Sequence, residues 1–315
     1  MTAVSHTERP ATPALLAPLL ATYLIFGAGY VAAKIAVEGG LPPLMLGARF
    51  AVVGVVLVAI RVTMGYSDGL GRGAAWGGAA GAGLGMLLGG QGLAVLAIAD
   101  LPAGTVALLM ASTPLFAALV GHIAGFAPVA PAGFAAIALG MVGVGVLGAA
   151  SLGLGGVVPI ALVLGAALAW AFGSTLGERL PQASDPILAS GMQMVVGGAA
   201  LAVASWTAGE FARFDPAAVT GDAWAALAFM ALAVSLVGFP LFVRLTAIAP
   251  PAIANSFAYV APAVSALLAF VLLDERFGPL QATGCAAILA SVVLLLRFGH
   301  PDTPADRPRG GRPTC

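Results

Sequence analysis

The chain has 315 residues, 60% hydrophobic and only 8% charged, with a mean hydropathy of +1.04 and a formal net charge of zero. A soluble domain carries about 25% charged residues, so a water-soluble globular protein is excluded. The zero total hides how charge is distributed along the chain, which matters more for a membrane protein than the sum.

Apolar runs of about 20 residues recur from end to end, each long enough to cross ~30 Å of hydrocarbon as a helix. The shorter alternating segments of barrel strands do not occur. The first run, 14–34, follows a polar tail at 1–13 and lacks the compact apolar stretch and small-residue exit of a secretory signal, so it reads as a retained anchor. Punctuation by proline, glycine and charge sets off four more spans at 43–61, 74–99, 102–125 and 131–150. Five further spans follow at 157–180, 186–207, 222–245, 250–273 and 279–297. The remainder, 298–315, is rich in proline, arginine and glycine and reads as a disordered tail. Cys285 in an apolar run and Cys315 at the chain end make no expected disulfide.

With the N-terminus inside, Arg9, Arg61, Arg72, Arg179, Arg244, Arg297, Arg307, Arg309 and Arg312 are cytoplasmic, against Lys34, Arg49, Arg213 and Arg276 outside. That bias follows the positive-inside rule and predicts both termini in the cytoplasm.

Taken in chain order, the spans carry few polar groups. The first ends on Lys34, the only lysine, whose stem lies in hydrocarbon while its ammonium reaches the interface as an anchor, or a substrate. Glu38, four residues on, pairs with it if the helix continues. In the second span Arg49 stands about six residues past Pro43, ~9 Å deep at 1.5 Å per residue. Facing lipid there costs several kcal/mol, so Arg49 faces the bundle interior as a structural tie or a cavity residue. The third span holds Gly77, Gly81, Gly85 and Gly89, a ridge without side chains against which another helix packs.

Proline inside the fourth span, Pro114, frees the carbonyl of Met110 and kinks the helix beside Ser112 and Thr113; Pro262 in the ninth does the same to Ala258 beside Asn255, Ser256 and Tyr259. "GVGVLG" at 143–148 matches a dinucleotide fingerprint but has neither a preceding strand nor a suitable later carboxylate, so a nucleotide fold is rejected. Gln91, Gln193, Ser112, Asn255 and Tyr259 bond either substrate or neighbouring helices. Tyr23, Tyr30, Trp170, Phe257 and Tyr259 line an amphipathic cavity or mark the interface. Asp274-Glu275 reads as a solvated helix cap rather than a metal pair. The three histidines are scattered, so no catalytic or metal-binding cluster and no cofactor is expected.

"LPAGTVALLMASTPLFAALV" (101–120) aligns without a gap to "APPAIANSFAYVAPAVSALL" (249–268), with Pro102 and Pro114 spaced 12 apart like Pro250 and Pro262. "PPLMLGARF" likewise matches "DPILASGMQ", and "IFGAGYVAAK" more loosely "WAFGSTLGER". The expectation is an all-α polytopic membrane protein of ten transmembrane helices, two five-helix repeats at 14–150 and 157–297. Five is odd, so the second repeat is inverted relative to the first.

"GAGYVAAKIAVEGGLPPLMLGARF", "LPAGTVALLMASTPLFAALV" and "YVAPAVSALLAFVLLDERFGPLQATG" resemble the drug/metabolite transporter superfamily, specifically its EamA-type members, over about residues 14–297. Two features depart from that resemblance. Phe26-Gly27 stands where the family often has Trp-Gly, and no Asp or Glu occurs between Asp100 and Glu178, where the first repeat's terminal carboxylate belongs. The resemblance implies two five-helix repeats, an arginine at position 49, and export of amino acids or related compounds.

The function expected is a secondary transporter in the bacterial inner membrane, moving small amphipathic or zwitterionic metabolites by alternating access between inverted halves. A small-molecule substrate and the lipid bilayer are its expected partners; no nucleic acid is expected, and the protein is a monomer or homodimer. A sugar-phosphate or nucleotide-sugar exchanger is the alternative if Arg49 and Lys34 form an anion site. A membrane enzyme or scaffold is the alternative of a different class.

Overall fold

The computed structural model describes the backbone of residues 12–248 and 257–298, and the side chains of all of these except 12–15, 246–248, 258 and 259. The described elements are helices. The first repeat contains α1 (Thr12–Glu38), α2 (Pro43–Thr63), α3 (Gly73–Ile98), α4 (Ala103–Ile123) and α5 (Pro131–Gly155). The second contains α6 (Val157–Gly177), α7 (Pro186–Thr207), α8 (Gly221–Phe229 running on through Met230–Gly238 into Phe239–Ile248), α9 (Phe257–Leu273) and α10 (Pro279–Phe298). Among the described residues nine helices are long and apolar enough to span a bilayer, and α9 adds the shorter apolar helix Val260–Leu273.

Helix ends follow from local chemistry. Four of the helices, α2, α5, α7 and α10, begin on proline, whose missing N–H is no loss in a first turn. Asp185 caps α7 by accepting the Leu188 N–H at 2.8 Å. Gly156, at φ 83°, makes the abrupt reversal between α5 and α6 that a side chain would strain. Short connections alternate the helix directions, so α6 enters from the face opposite to that of α1. The face where α1 begins is termed the near face, and its opposite the far face.

Packing obeys a pseudo-twofold relation between the repeats: α2 lies against its counterpart α7, and α5 against α10. Likewise α1 packs on α8 and α9, as α6 packs on α3 and α4. The central pairs touch backbone to backbone: a Cβ on Gly54 of α2 would sit 2.6 Å from the Val195 nitrogen of α7, and one on Gly284 of α10 2.8 Å from the Leu147 nitrogen of α5.

The expected glycine ridge on α3 holds for three of its four members. Gly81 meets Leu180, Gly85 meets Gly173 and Gly89 meets Ala169, all on or just beyond α6, whereas nothing lies within 4 Å of a Cβ on Gly77. The reason is length: α6 ends at Gly177, so Gly77, one turn nearer the near face, lies past its end. Two nine-residue stretches wind as π-helix, Leu84–Gly92 in α3 and Met230–Gly238 in α8, at equivalent places in the two repeats. Such insertions concentrate at functional sites.

Candidate functional site

A cavity of about 900 Å³ lies between the repeats. Its inner wall takes Phe26 and Tyr30 from α1, Arg49 from α2, Met86 and Gln91 from the α3 π-segment, and Pro114 from α4. The second repeat contributes Trp170, Gln193, Met230, Phe242, Phe257 and Pro262. The cavity extends to the near face, where Phe126, Glu178, Arg179 and Gln182 line it. No described residue of the far-face connections 39–42, 99–102, 208–220 and 274–278 reaches it.

Arg49 carries the inner charge. Its side chain is held in the wall with the residue only 7% exposed. Nη1 donates to the Leu46 carbonyl at 2.6 Å, Nε is buried without a partner, and Cζ stands 4.2 Å over the Phe50 ring. No carboxylate pairs with it among the described residues. A basic side chain at the bilayer centre costs roughly 2.5–3.5 kcal/mol on insertion scales, and at Arg49 a cation–π contact and one hydrogen bond act against that penalty.

The uncharged groups divide between wall and scaffold. Gln193 Nε2 donates to Gln182 Oε1 at 3.3 Å, leaving Gln193 Oε1 and Gln182 Nε2 buried and unpaired. Gln91 is half-buried on the cavity wall. Tyr30 lines the cavity too. Ser112 is fully buried and away from the void; its hydroxyl donates to the Leu109 carbonyl at 2.7 Å. Thr113 Oγ1 donates at 2.6 Å to the Met110 carbonyl, the one that Pro114 leaves free. That break divides α4 into Ala103–Met110 and Thr113–Ile123. Pro262 lies inside α9, which continues through it. Asn255 and the Tyr259 side chain fall outside the described residues.

Lys34 also stands outside the lining. α1 does continue to Glu38, and the two pair at 3.2 Å, while Nζ donates to the Ile98 carbonyl at 2.9 Å. A cation thus meets the carbonyl end of α3, where the helix dipole is negative.

Phe26, Phe242, Glu178, Arg179 and Gln182 line the cavity without a sequence reading that placed them there, whereas Trp170 and Phe257 had one. Phe26, Phe242 and Phe257 form a ring triad with centroid separations of 4.9–6.0 Å, and Trp170 extends it through Phe239 at 6.4 Å. Phe26 was visible as the departure from Trp-Gly; Phe242 had no local signal. Arg179 counted in the sequence only as a cytoplasmic charge, and neither Glu178 nor Gln182 carried a motif that marks a cavity residue. Burial pushes the Glu178 carboxyl above the usual carboxylate range, and neighbouring Arg179 offsets part of that rise.

The two faces are tied differently. On the far face Glu275 accepts the N–H groups of Ala103 and Gly104 at 2.7 and 3.0 Å, capping α4 rather than its own helix. Buried Glu210 accepts those of Leu44 and Met45 at 3.2 and 2.8 Å, with the Ser205 hydroxyl donating at 2.7 Å. Both carboxylates come from the second repeat and both capped helices from the first. On the near face Arg61 forks onto Asp185 at 2.7–2.9 Å. The near-face turn after α4 has no carboxylate to mirror Glu275; His122 Nδ1 accepts the Val129 N–H there instead.

Comparison with known proteins agrees with this architecture. The profile of the EamA-like transporter family matches residues 13–149 and 157–297. The "Uncharacterized inner membrane transporter YedA" of Escherichia coli K12 is 29% identical over 297 residues, covering 93% of this chain and 95% of that one. The proteins of the same name from the O6:H1 and O157:H7 strains match equally. A protein of known crystal structure shares the fold with a TM-score of 0.61 at 20% identity, covering 90% of this chain and 98% of its own. With both repeats matched, the chain belongs to the EamA-like transporter family and is a multi-pass membrane transporter of small molecules, not an enzyme.

Proposed function

We propose that the protein is a secondary transporter that exports small amphipathic or zwitterionic metabolites, amino acids or related compounds, by alternating access. The observation that carries this reading is the 900 Å³ cavity on the seam of the inverted repeats, extending to one face and stopping short of the other. Its size suits a small metabolite, and its wall combines aromatic rings with Arg49, Gln91, Gln193 and Tyr30. The unpaired Gln193 Oε1 offers an acceptor for an ammonium or hydroxyl group.

Arg61, Arg72, Arg179, Arg244 and Arg297 lie toward the near face, which supports a cytoplasmic near face and cytoplasmic tails at 1–13 and 298–315. The cavity then faces inward, as loading for export requires. The relative's name supports the inner membrane. A dianionic sugar phosphate fits less well, because among the described residues Arg49 and Arg179 are the only basic ones lining the cavity and Glu178 stands beside the latter.

The test is uptake and counterflow in proteoliposomes across a panel of amino acids, neutral amphipaths and phosphate esters, with and without a pH gradient. Saturable counterflow of a zwitterion is the expected result. Phosphate-ester exchange alone, or no vectorial movement of any compound, sinks the reading.

A further inference from the structure

We propose that Arg49 is the receptor for a single carboxylate on the cargo, whose apolar body lies against Phe26, Trp170, Phe242 and Phe257. This rests on the transport reading above, since it assigns the chemistry of the same cavity.

Three observations converge. First, the guanidinium is built into the wall and left incomplete. Nη1 is held by the Leu46 carbonyl at 2.6 Å, whereas Nε is buried without a partner, and Nη2 has no hydrogen bond within the described residues. Nε and Nη2 share one edge of the guanidinium, the planar fork whose two parallel N–H bonds match the two oxygens of a carboxylate. The backbone bond at the opposite corner holds the guanidinium and leaves that edge unused.

Second, the charge is unopposed. Among the described residues the other charged ones lining the cavity, Glu178 and Arg179, are sequence neighbours of opposite sign at the near-face end, so the inner cavity carries one fixed positive charge. One carboxylate neutralises it. A phosphate monoester dianion would bring a second negative charge into the same low-dielectric space with nothing to meet it.

Third, the charge adjoins an apolar surface. Phe50, the ring beneath Arg49, belongs to the same packed cluster as Trp170, Phe239 and Phe242, with Phe26 and Phe257 against it. A cargo anchored by its carboxylate therefore projects its body onto aromatic faces, where buried area and ring contacts hold it. Occupation of the fork satisfies Nε, so the bound state removes a defect that the free protein carries.

The test is calorimetric titration of the full chain in nanodiscs with phenylacetate, its neutral amide phenylacetamide, and benzyl phosphate. Phenylacetate is expected to bind at least about tenfold more tightly than the amide, the worth of a charge-assisted hydrogen bond, and more tightly than the phosphate. In Arg49→Gln the acid and the amide bind equally, and Arg49→Lys keeps a reduced preference for the acid. Equal binding of acid and amide to the unaltered protein, no binding of the acid, a preference for the phosphate, or an undiminished acid preference in Arg49→Gln overturns the proposal. If Arg49→Gln does not fold, the acid–amide comparison on the unaltered protein decides alone. Acid-selective binding without flux in proteoliposomes overturns transport and leaves the receptor; flux without acid selectivity does the reverse.

Discussion

Glu275 illustrates how one side chain ties the two repeats. A helix N-terminus leaves its first N–H groups unsatisfied and partially positive, and Glu275 reaches from the second repeat to accept two of them on α4. Glu275→Ala should lower stability by about 1–2 kcal/mol, as loss of a strong cap does, with Glu275→Gln intermediate. Thermal unfolding of the detergent-solubilised protein measures it, and unchanged melting of the alanine variant contradicts the tie. Asp185 gives a pH signature. Burial raises its carboxyl, but the Arg61 fork and the Leu188 N–H outweigh that and leave it below the usual carboxylate range. A depressed pKa makes this group's contribution complete above the ordinary carboxylate value and lost as pH falls through the depressed one. Melting temperature plotted against pH should therefore fall less steeply in acid for Asp185→Asn than for the unaltered protein.

At the scale of helices, spacing and contact part company. Gly77 and Gly85 belong to the same four-residue repeat, yet only Gly85 faces a backbone: a Cβ on its partner Gly173 would sit 2.6 Å from the Met86 nitrogen. Leucine at 85 must push α3 and α6 apart, whereas the Cβ of a residue at 77 meets nothing within 4 Å. Gly85→Leu should abolish the monodisperse peak in size-exclusion chromatography and Gly77→Leu should keep it; equal behaviour of the two would refute the register. The π-segments were invisible beforehand, since each reads as ordinary apolar helix with no proline inside. Each segment contributes to the cavity wall, Met86 and Gln91 from the first and Met230 and Val234 from the second.

For the molecule as a whole, the asymmetry between faces is the functional statement. The far face is closed by Lys34 on α3, Glu275 on α4 and Glu210 on α2, around fully buried Ala36 and Leu101. The near face keeps the Arg61–Asp185 bridge at the central helix pair but lacks the equivalent of Glu275. In a background with Cys285 and Cys315 replaced by serine, Thr175→Cys on the cavity wall should react with an impermeant maleimide from the near face. Ala36→Cys should stay unreactive from the far face until cargo is supplied. Far-face labelling of Ala36→Cys before Thr175→Cys reacts would reverse the assigned resting state.

How much of this was legible beforehand follows from the range of the forces involved. Hydrocarbon imposes its thickness on every span and demands internal backbone bonding, so helix number and the doubled pattern of prolines were written into "LPAGTVALLMASTPLFAALV" and its partner. The depth of Arg49 was likewise a matter of counting residues from Pro43. Contacts set by helix rotation were not: that Lys34 ends on the Ile98 carbonyl, that Gly77 overshoots α6, and that Phe26, Phe242 and Phe257 meet are facts about residues far apart in the chain. Composition and period alone determined a bilayer-spanning pair of repeats. Only the packed structure decided which polar groups share the cavity and which face it reaches, because those depend on the angular setting of helices that local sequence leaves free.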